Sequence, residues 1–525
     1  MRDDDRCSEP ATDSATKARA VGPGVILGVL ACAQFVVVLS TSIVNVALPQ
    51  VRDGVGLSGS GMAWVINAYG LAFGALLLPG GRAADLVGRR RLLLGGLSVF
   101  AAAALAAALS TSGWQLITAR AVQGVGAAAI APAALSLVMQ VFPPGPGRGR
   151  ALGVWGAVSG AGGAAGVLLG GVLTEELGWR SVFFASAFTA AAVLAASGRL
   201  VRVGEATGPR PSPRGLDPFG TLTVTLGLVA LVYALTAAGR SGWTDPWVLA
   251  SMATALVLLA LFAVIEHGHP APLLAPRLLA AGSVAPANAV MALLGAVWVG
   301  LFFFLPLYQQ QVLGESALTA GATQLPLAIA NIAGASAAPR LARRWGLSNT
   351  LAIGMAVLTA GFLWLSRVSA DGGFLRDVLG PTVLIGLGLG VAFVQLTAAA
   401  VAGVAAADAG LAGGLVNTTR QIGGALGLAV LGTLAASRTD SFLPGTSRAA
   451  ALTEGYRTAF LVSAAITAVG TLFVPLVAAR GRGGSQPTNG AASGGAEPSV
   501  EPQPAAPDGH RSTHVTTPPG QESAT

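Results

Sequence analysis

The sequence predicts an all-α polytopic membrane protein, and three observations lead there. Only 10% of the 525 residues are charged and 53% are hydrophobic, with a mean hydropathy of +0.68. Soluble domains carry about 25% charged residues. Apolar runs recur along the whole chain, and ~20 such residues cross a bilayer as helix. Alternating segments of ~10 residues, the mark of a lipid-spanning barrel, are absent, so the backbone must satisfy itself as helix.

Hydropathy places fourteen helices near 24–48, 62–81, 92–110, 114–139, 151–173, 180–200, 217–238, 247–266, 284–307, 318–339, 349–367, 378–403, 410–435 and 457–479. The first run is too long for a signal-peptide core and shows no cleavage site, so it is expected to remain as span one. Arginines crowd the loop between spans two and three. Span four contains Arg120 and span thirteen Arg420, both well inside an apolar run, while span five is rich in glycine. From Arg480 onward, large apolar side chains almost vanish, and that composition cannot offset the entropy of ordering.

Charge sets the orientation. With the N-terminus in the cytoplasm, 21 arginines and lysines fall in inner loops and tails and 8 in outer loops. Basic residues concentrate on the cytoplasmic side of membrane proteins, and an even number of spans also returns both termini to one face. The formal charge of +8 is therefore read as orientation, not nucleic-acid binding. Cys7 and Cys32 are too few for a disulfide framework. No histidine–cysteine metal cluster, nucleophile elbow or nucleotide loop is present, which argues against an enzyme or an ATP-driven pump.

The chain also repeats. PRLARRWG at 339–346 sits between spans ten and eleven as LPGGRAADLVGRRR sits between two and three, and an offset of 258 carries Gly88 onto Gly346. The order of spans fits two six-helix halves, and halves that exchange conformation alternate access to a central site. The expected organisation is a cytoplasmic tail (1–23), an N-terminal half (24–202), a linker and extra helix pair (203–282), a C-terminal half (283–480) and a disordered cytoplasmic tail (481–525).

Between spans two and three, Gly81, Asp85, Gly88, Arg89 and Arg90 form the pattern Gly-x-x-x-Asp-x-x-Gly-Arg-Arg. The glycines permit a tight turn and close helix approach, and Asp85 can pair with arginines and a helix N-terminus. This stretch resembles the signature loop of the major facilitator superfamily. RAVQGVGAA at 120–128, with Arg120, Gln123, Gly124 and Gly126, resembles a second motif of that family. LSTSIVNVALP (39–49), LPLYQQQVLG (305–314) and GLVNTTRQIGGALG (414–427) resemble its fourteen-span drug:proton antiporter branch. Span five presents Gly156, Gly160, Gly163, Gly166 and Gly170 as a small-residue face, similar to the antiporter motif of exporters but with Val167 where that motif has proline.

The resemblance implies a major-facilitator-type fold in the plasma membrane, a monomer, a gating latch at Asp85 and export of antibiotic-like or other hydrophobic molecules. It also implies protons as partners, with the proton-motive force as energy source and no bound cofactor. A dedicated exporter of one endogenous metabolite and a non-transporting membrane sensor are the alternatives. Translocation or coupling candidates are Ser40, Asn45, Arg120, Gln123, Asn417 and Arg420; Trp64, Asn67, Tyr69 and Phe304 are candidate wall residues.

One departure shapes the chemistry. Ser40 stands where the branch carries an aspartate, and no predicted span has a central Asp or Glu. Organic cations are therefore expected to be poor substrates relative to neutral, zwitterionic or anionic molecules. Protonation falls by default to Asp85 or to the surroundings of Arg120 and Gln123.

Overall fold

A computed structural model of the chain describes residues 22–143, 146–200, 217–269, 272, 276–280, 282–402, 404 and 409–477. The predicted tails over 1–21 and 481–525, the linker at 203–216 and Asp408 lie outside them. So do the side chain of Asp85 and the surroundings of Gly156 and Gly160, two positions of the glycine face.

Among the described residues there is no strand. The helices are α1 (Pro23–Val55), α2 (Gly59–Val87), α3 (Arg89–Ala108), α4 (Gly113–Val141), α5 (Pro146–Leu177), α6 (Arg180–Leu200), α7 (Pro218–Ser241) and α8 (Pro246–Gly268). They continue with α9 (Pro276–Ala280), α10 (Val284–Gln311), α11 (Ala317–Ala322), α12 (Leu325–Leu365), α13 (Leu379–Val401), α14 (Ala409–Phe442) and α15 (Arg448–Leu472). Twelve helical segments of the described residues are long and apolar enough to cross a membrane.

Short-range chemistry starts these helices where it should. Asp217 accepts from the Gly220 amide and Asp245 from those of Trp247 and Val248, each with a proline at the first helical position. Ser58 and Ser447 cap α2 and α15 in the same manner. Such side chains satisfy amides that have no intrahelical partner.

Several helices outrun the hydropathy windows. α1 continues to Val55 through Pro49, and α15 starts at Arg448 rather than 457. Polar residues beyond the apolar window still satisfy their backbones best as helix, so the rod runs on past the hydrocarbon. His267, one residue beyond the hydropathy window that ends at 266, falls in the last turn of α8. Span ten is divided: α11 ends before Thr323, and Pro326 opens α12 afresh.

Gly88 and Gly346 show why the repeat matters. Gly88 (φ 98, ψ 129) joins α2 directly to α3, and Gly346 (φ 79, ψ 159) breaks α12 internally. Both conformations lie where a side chain is strained. The glycines aligned by the sequence offset make similar turns.

α1 to α6 pack among themselves, as do α10 and α12 to α15. α7 leans on α14 and α2, and α8 on α7. Leu256, Val257 and Val264 of α8 are more than half exposed, as suits a helix meeting lipid along much of its surface. The two groups meet where α2 lies on α14, α5 on α11 and α1 on α10.

Candidate functional site

The buried polar centre of the first half is built on Arg120 of α4. Its side chain is fully buried. Nε donates to the Val65 carbonyl (3.2 Å) on α2, and Nη1 donates to Gln123 Oε1 (2.7 Å) and Ser40 Oγ (3.3 Å). Gln123 Nε2 donates to the same Ser40 Oγ at 3.0 Å. The guanidinium carbon lies 4.4 Å from the centre of the Tyr69 ring, whose hydroxyl donates to the Val37 carbonyl. One cation thus ties α1, α2 and α4 together.

A desolvated guanidinium is costly unless its hydrogen bonds are met. Here carbonyls, a hydroxyl, an amide and a π face meet them in place of a carboxylate, although Nη2 has no partner. Gly124 of the same motif lets α4 close on α2: a Cβ there would fall 3.0 Å from the Ala72 methyl carbon and 3.1 Å from the Phe73 nitrogen. Gly126 does the same against Phe100 of α3.

Of the six candidates Ser40, Asn45, Arg120, Gln123, Asn417 and Arg420, the structure brings Ser40 against Arg120 and Gln123, and Asn417 against Arg420. Asn45 stays apart, donating to the Thr41 carbonyl of its own helix. Asn67 of α2 is buried, and neither of its side-chain polar atoms has a partner.

In the second half, Arg420 of α14 is partly buried. Its Nη2 donates to Asn417 Oδ1 at 2.8 Å, one turn back. Its guanidinium carbon lies 5.8 Å from the ring centres of both Trp298 on α10 and Phe393 on α13. Nε has no partner. Trp298 also stacks at a tilt with Phe302, at 5.8 Å between centres.

The arginine-rich loop is a turn on Gly88 with arginines reaching across to backbone. Arg90 Nη2 donates to the Gly198 carbonyl at the end of α6, and Arg82 Nη2 to that of Pro272; Arg89 also has a partner. At Gly81 an added Cβ would make only ordinary contact, with Pro132 Cβ at 3.9 Å. The neighbouring Gly80 is the one pressed against α4, at the Ala128 carbonyl.

On α5, Gly166 and Gly170 are the close-approach positions. A Cβ would come 2.7 Å from Ser42 Cβ at the first and 2.6 Å from the Ile43 carbonyl at the second. Gly163 is looser, at 3.9 Å from Ser42 Oγ. Two glycines that the sequence reading passed over do more between the halves. A Cβ at Gly171 would lie 2.8 Å from the Ala317 carbonyl oxygen and one at Gly321 2.7 Å from that of Val167, a reciprocal pair across α5 and α11.

Two hydrogen bonds reinforce that junction: Gln310 Nε2 donates to the Val46 carbonyl (3.0 Å), and the Ala317 amide donates to Glu175 Oε2 (3.1 Å). Val46, Val167 and Ala317 pack together there with Phe302 at their edge. Beside the junction, in the loop before α11, burial raises the Glu315 carboxyl above its ordinary range, opposed by a hydrogen bond with Gln309. A polar triplet, Gln309 to Gln311, closing an otherwise apolar span was the available signal for this contact.

The described helices hold their acidic positions within two turns of their ends. The central region therefore offers Arg120, Arg420 and neutral polar groups.

Comparison with known proteins agrees with this architecture. The sequence pattern of the Major Facilitator Superfamily matches residues 30–428. The cephamycin export protein CmcT of Amycolatopsis lactamdurans is 43% identical over 418 residues, covering 78% of this chain and 85% of that protein. The puromycin resistance protein pur8 of Streptomyces alboniger is 40% identical, covering 86% and 90%. The tetracenomycin C resistance and export protein of Streptomyces glaucescens is 34% identical, covering 80% and 78%. Among solved structures, an auto-inhibited peptide transporter of the POT family aligns with a TM-score of 0.64 at 16% identity, covering 87% of this chain and 96% of that one. At such low identity it bears on the fold alone. With its pattern matched across most of the sequence and relatives aligned over 78–90% of their length, the chain belongs to the Major Facilitator Superfamily.

Proposed function

We propose that the protein exports antibiotic-like or other hydrophobic small molecules across the cell membrane by alternating access. The observation behind this reading is the extent of its likeness to a protein named for cephamycin export, 43% identity over 85% of that protein's length. The packing supports a rocking mechanism. Two helix groups, each internally tight, meet through few elements, among them the small-residue contact of Gly171 and Gly321 across α5 and α11.

Fourteen crossings fit best. The break at Gly346 divides the 41 residues of α12 into two lengths of about 30 Å at 1.5 Å per residue. α5 adds an uncharged stretch over 151–174 to the twelve apolar segments. Both termini are then cytoplasmic, as the arginine bias requires. The organisation into tail, half, linker pair, half and tail follows the boundaries at 24, 203, 283 and 481, and the chain acts as a monomer.

Export is coupled to proton entry. One charge moved through 100 mV supplies about 2.3 kcal/mol. With Ser40 in place of a carboxylate, the protonation step falls to Asp85 or to water held near Arg120 and Gln123. Asp85 with Arg89 and Arg90 acts as a latch that forms and releases during switching.

Expression in an efflux-deficient bacterial host tests the proposal, with a broad toxicity panel comparing wild type and Asp85→Asn. Raised resistance that Asp85→Asn abolishes is the expected result; a wild type conferring no resistance and no efflux overturns it. The relatives are named for individual antibiotics, which favours a second reading, a dedicated exporter of one endogenous compound. Resistance confined to a single chemical scaffold would establish that version.

A further inference from the structure

The geometry points to Arg420 as the seat of a negatively charged group on the transported molecule, so that the substrate class is an aromatic or otherwise apolar carboxylate or sulfonate. This inference rests on the export reading and specifies its substrate.

Arg120 and Arg420 are both deep cations, but their surroundings differ. Arg120 is fully buried and donates through Nε and Nη1 to groups on three helices, with Nη2 left over. Arg420 is only partly buried, makes one side-chain hydrogen bond, to Asn417, and leaves Nε unpartnered. It stands eleven residues into α14, about 16 Å along the helix. No ion pair to it exists among the described residues, and acidic positions of the described helices stay within two turns of their ends.

A guanidinium presents five donors in a planar fork that matches a carboxylate or sulfonate. An unneutralised charge in an apolar enclosure strongly favours a counter-charge and disfavours a cation. The site also has a shelf for an apolar body. Trp298 and Phe393 flank the guanidinium at 5.8 Å each and lie 6.1 Å from one another, and Phe302 continues from Trp298. Phe302 in turn touches Val46, Val167 and Ala317, where the two halves join. The shelf therefore runs from the cation to the surface along which the halves move, where a translocated molecule must pass.

Binding of 2-naphthylacetate, 2-naphthylacetamide and ethidium to the purified full chain tests this, together with outward flux of each from proteoliposomes. The first two share a ring system and differ in charge; the third is a cation. The carboxylate is expected to bind at least tenfold tighter than the amide, with ethidium weakest. Arg420→Gln should bring carboxylate binding down to the level of the amide, and Arg420→Lys should retain part of the preference. Asn417→Asp, nearly isosteric, sets a carboxylate where Oδ1 already meets Nη2 and should cancel the preference without disturbing the fold. Equal binding of carboxylate and amide, preference for ethidium, or a preference that survives both Arg420→Gln and Asn417→Asp would overturn the assignment. Selective carboxylate binding without flux of any probe would leave Arg420 as an anion site and overturn the export reading instead.

Discussion

Ser40→Ala probes the balance of the buried polar centre most directly. Ser40 Oγ accepts from Arg120 Nη1 at 3.3 Å and from Gln123 Nε2 at 3.0 Å, and it is fully buried. In the alanine variant Arg120 keeps Gln123 Oε1 and the Val65 carbonyl, but it loses one charged hydrogen bond. Gln123 Nε2 is left with no acceptor. An orphaned buried donor costs about 1–3 kcal/mol, and a hydrogen bond to a charged group contributes about 1.5–3. Together these predict a loss of about 3 kcal/mol. At ~2.1 cal/mol/K of unfolding entropy per residue, a chain of this size should melt about 3 °C lower.

Ser40→Asp reverses the sign of the argument. A carboxylate about 3 Å from Arg120 Nη1 gains up to ~5 kcal/mol of Coulomb energy at an effective dielectric of ~20, less the cost of burying it. That variant should melt at or above wild type and should convert transport to a steeper dependence on proton gradient. Thermal unfolding of purified protein in detergent, followed by tryptophan fluorescence, measures both. An alanine variant as stable as wild type, or an aspartate variant less stable than alanine, would refute the reasoning that this hydroxyl completes the Arg120 network.

Other outcomes follow from named contacts. Gly171→Val or Gly321→Val should cut efflux at least tenfold with little change in expression, because a side chain meets the Ala317 or Val167 carbonyl at under 3 Å; vesicle efflux beside a membrane immunoblot checks this. Gly80→Ala should destabilise more than Gly81→Ala, since the new methyl would collide with the Ala128 carbonyl at the first and make ordinary contact with Pro132, at 3.9 Å, at the second; a melting-temperature comparison decides it. Burial raises the Glu315 carboxyl, so folding favours its protonated form. The stability it lends is full below the ordinary value of 4.5 and is lost as pH rises through the higher folded value. Glu315→Gln should flatten that part of the melting-temperature profile, and an unchanged slope would remove the effect.

Composition alone determined that this chain is helical and apolar enough to cross lipid, because each residue's transfer energy acts locally and sums over ~20 positions. Motif spacing also made two structural facts legible. Gly88 and Gly346 adopt positive φ at equivalent turns, and Arg120 bonds to Gln123 of its own motif, whereas the approach of Ser40 to both emerged only from the fold. In both cases the signal was an anomaly, either a glycine at a charged turn or a polar side chain inside an apolar run. Such residues have few affordable environments, so their partners can be anticipated. The tertiary structure alone decided that Gly80 rather than Gly81 is the position pressed tightest on α4, that Gly171 and Gly321 join the halves, and that Asn45 turns back to its own helix. Those outcomes depend on how each rod is rotated about its axis and slid along its neighbour. Lipid tails and helix interfaces are about equally apolar, so hydropathy carries no record of either.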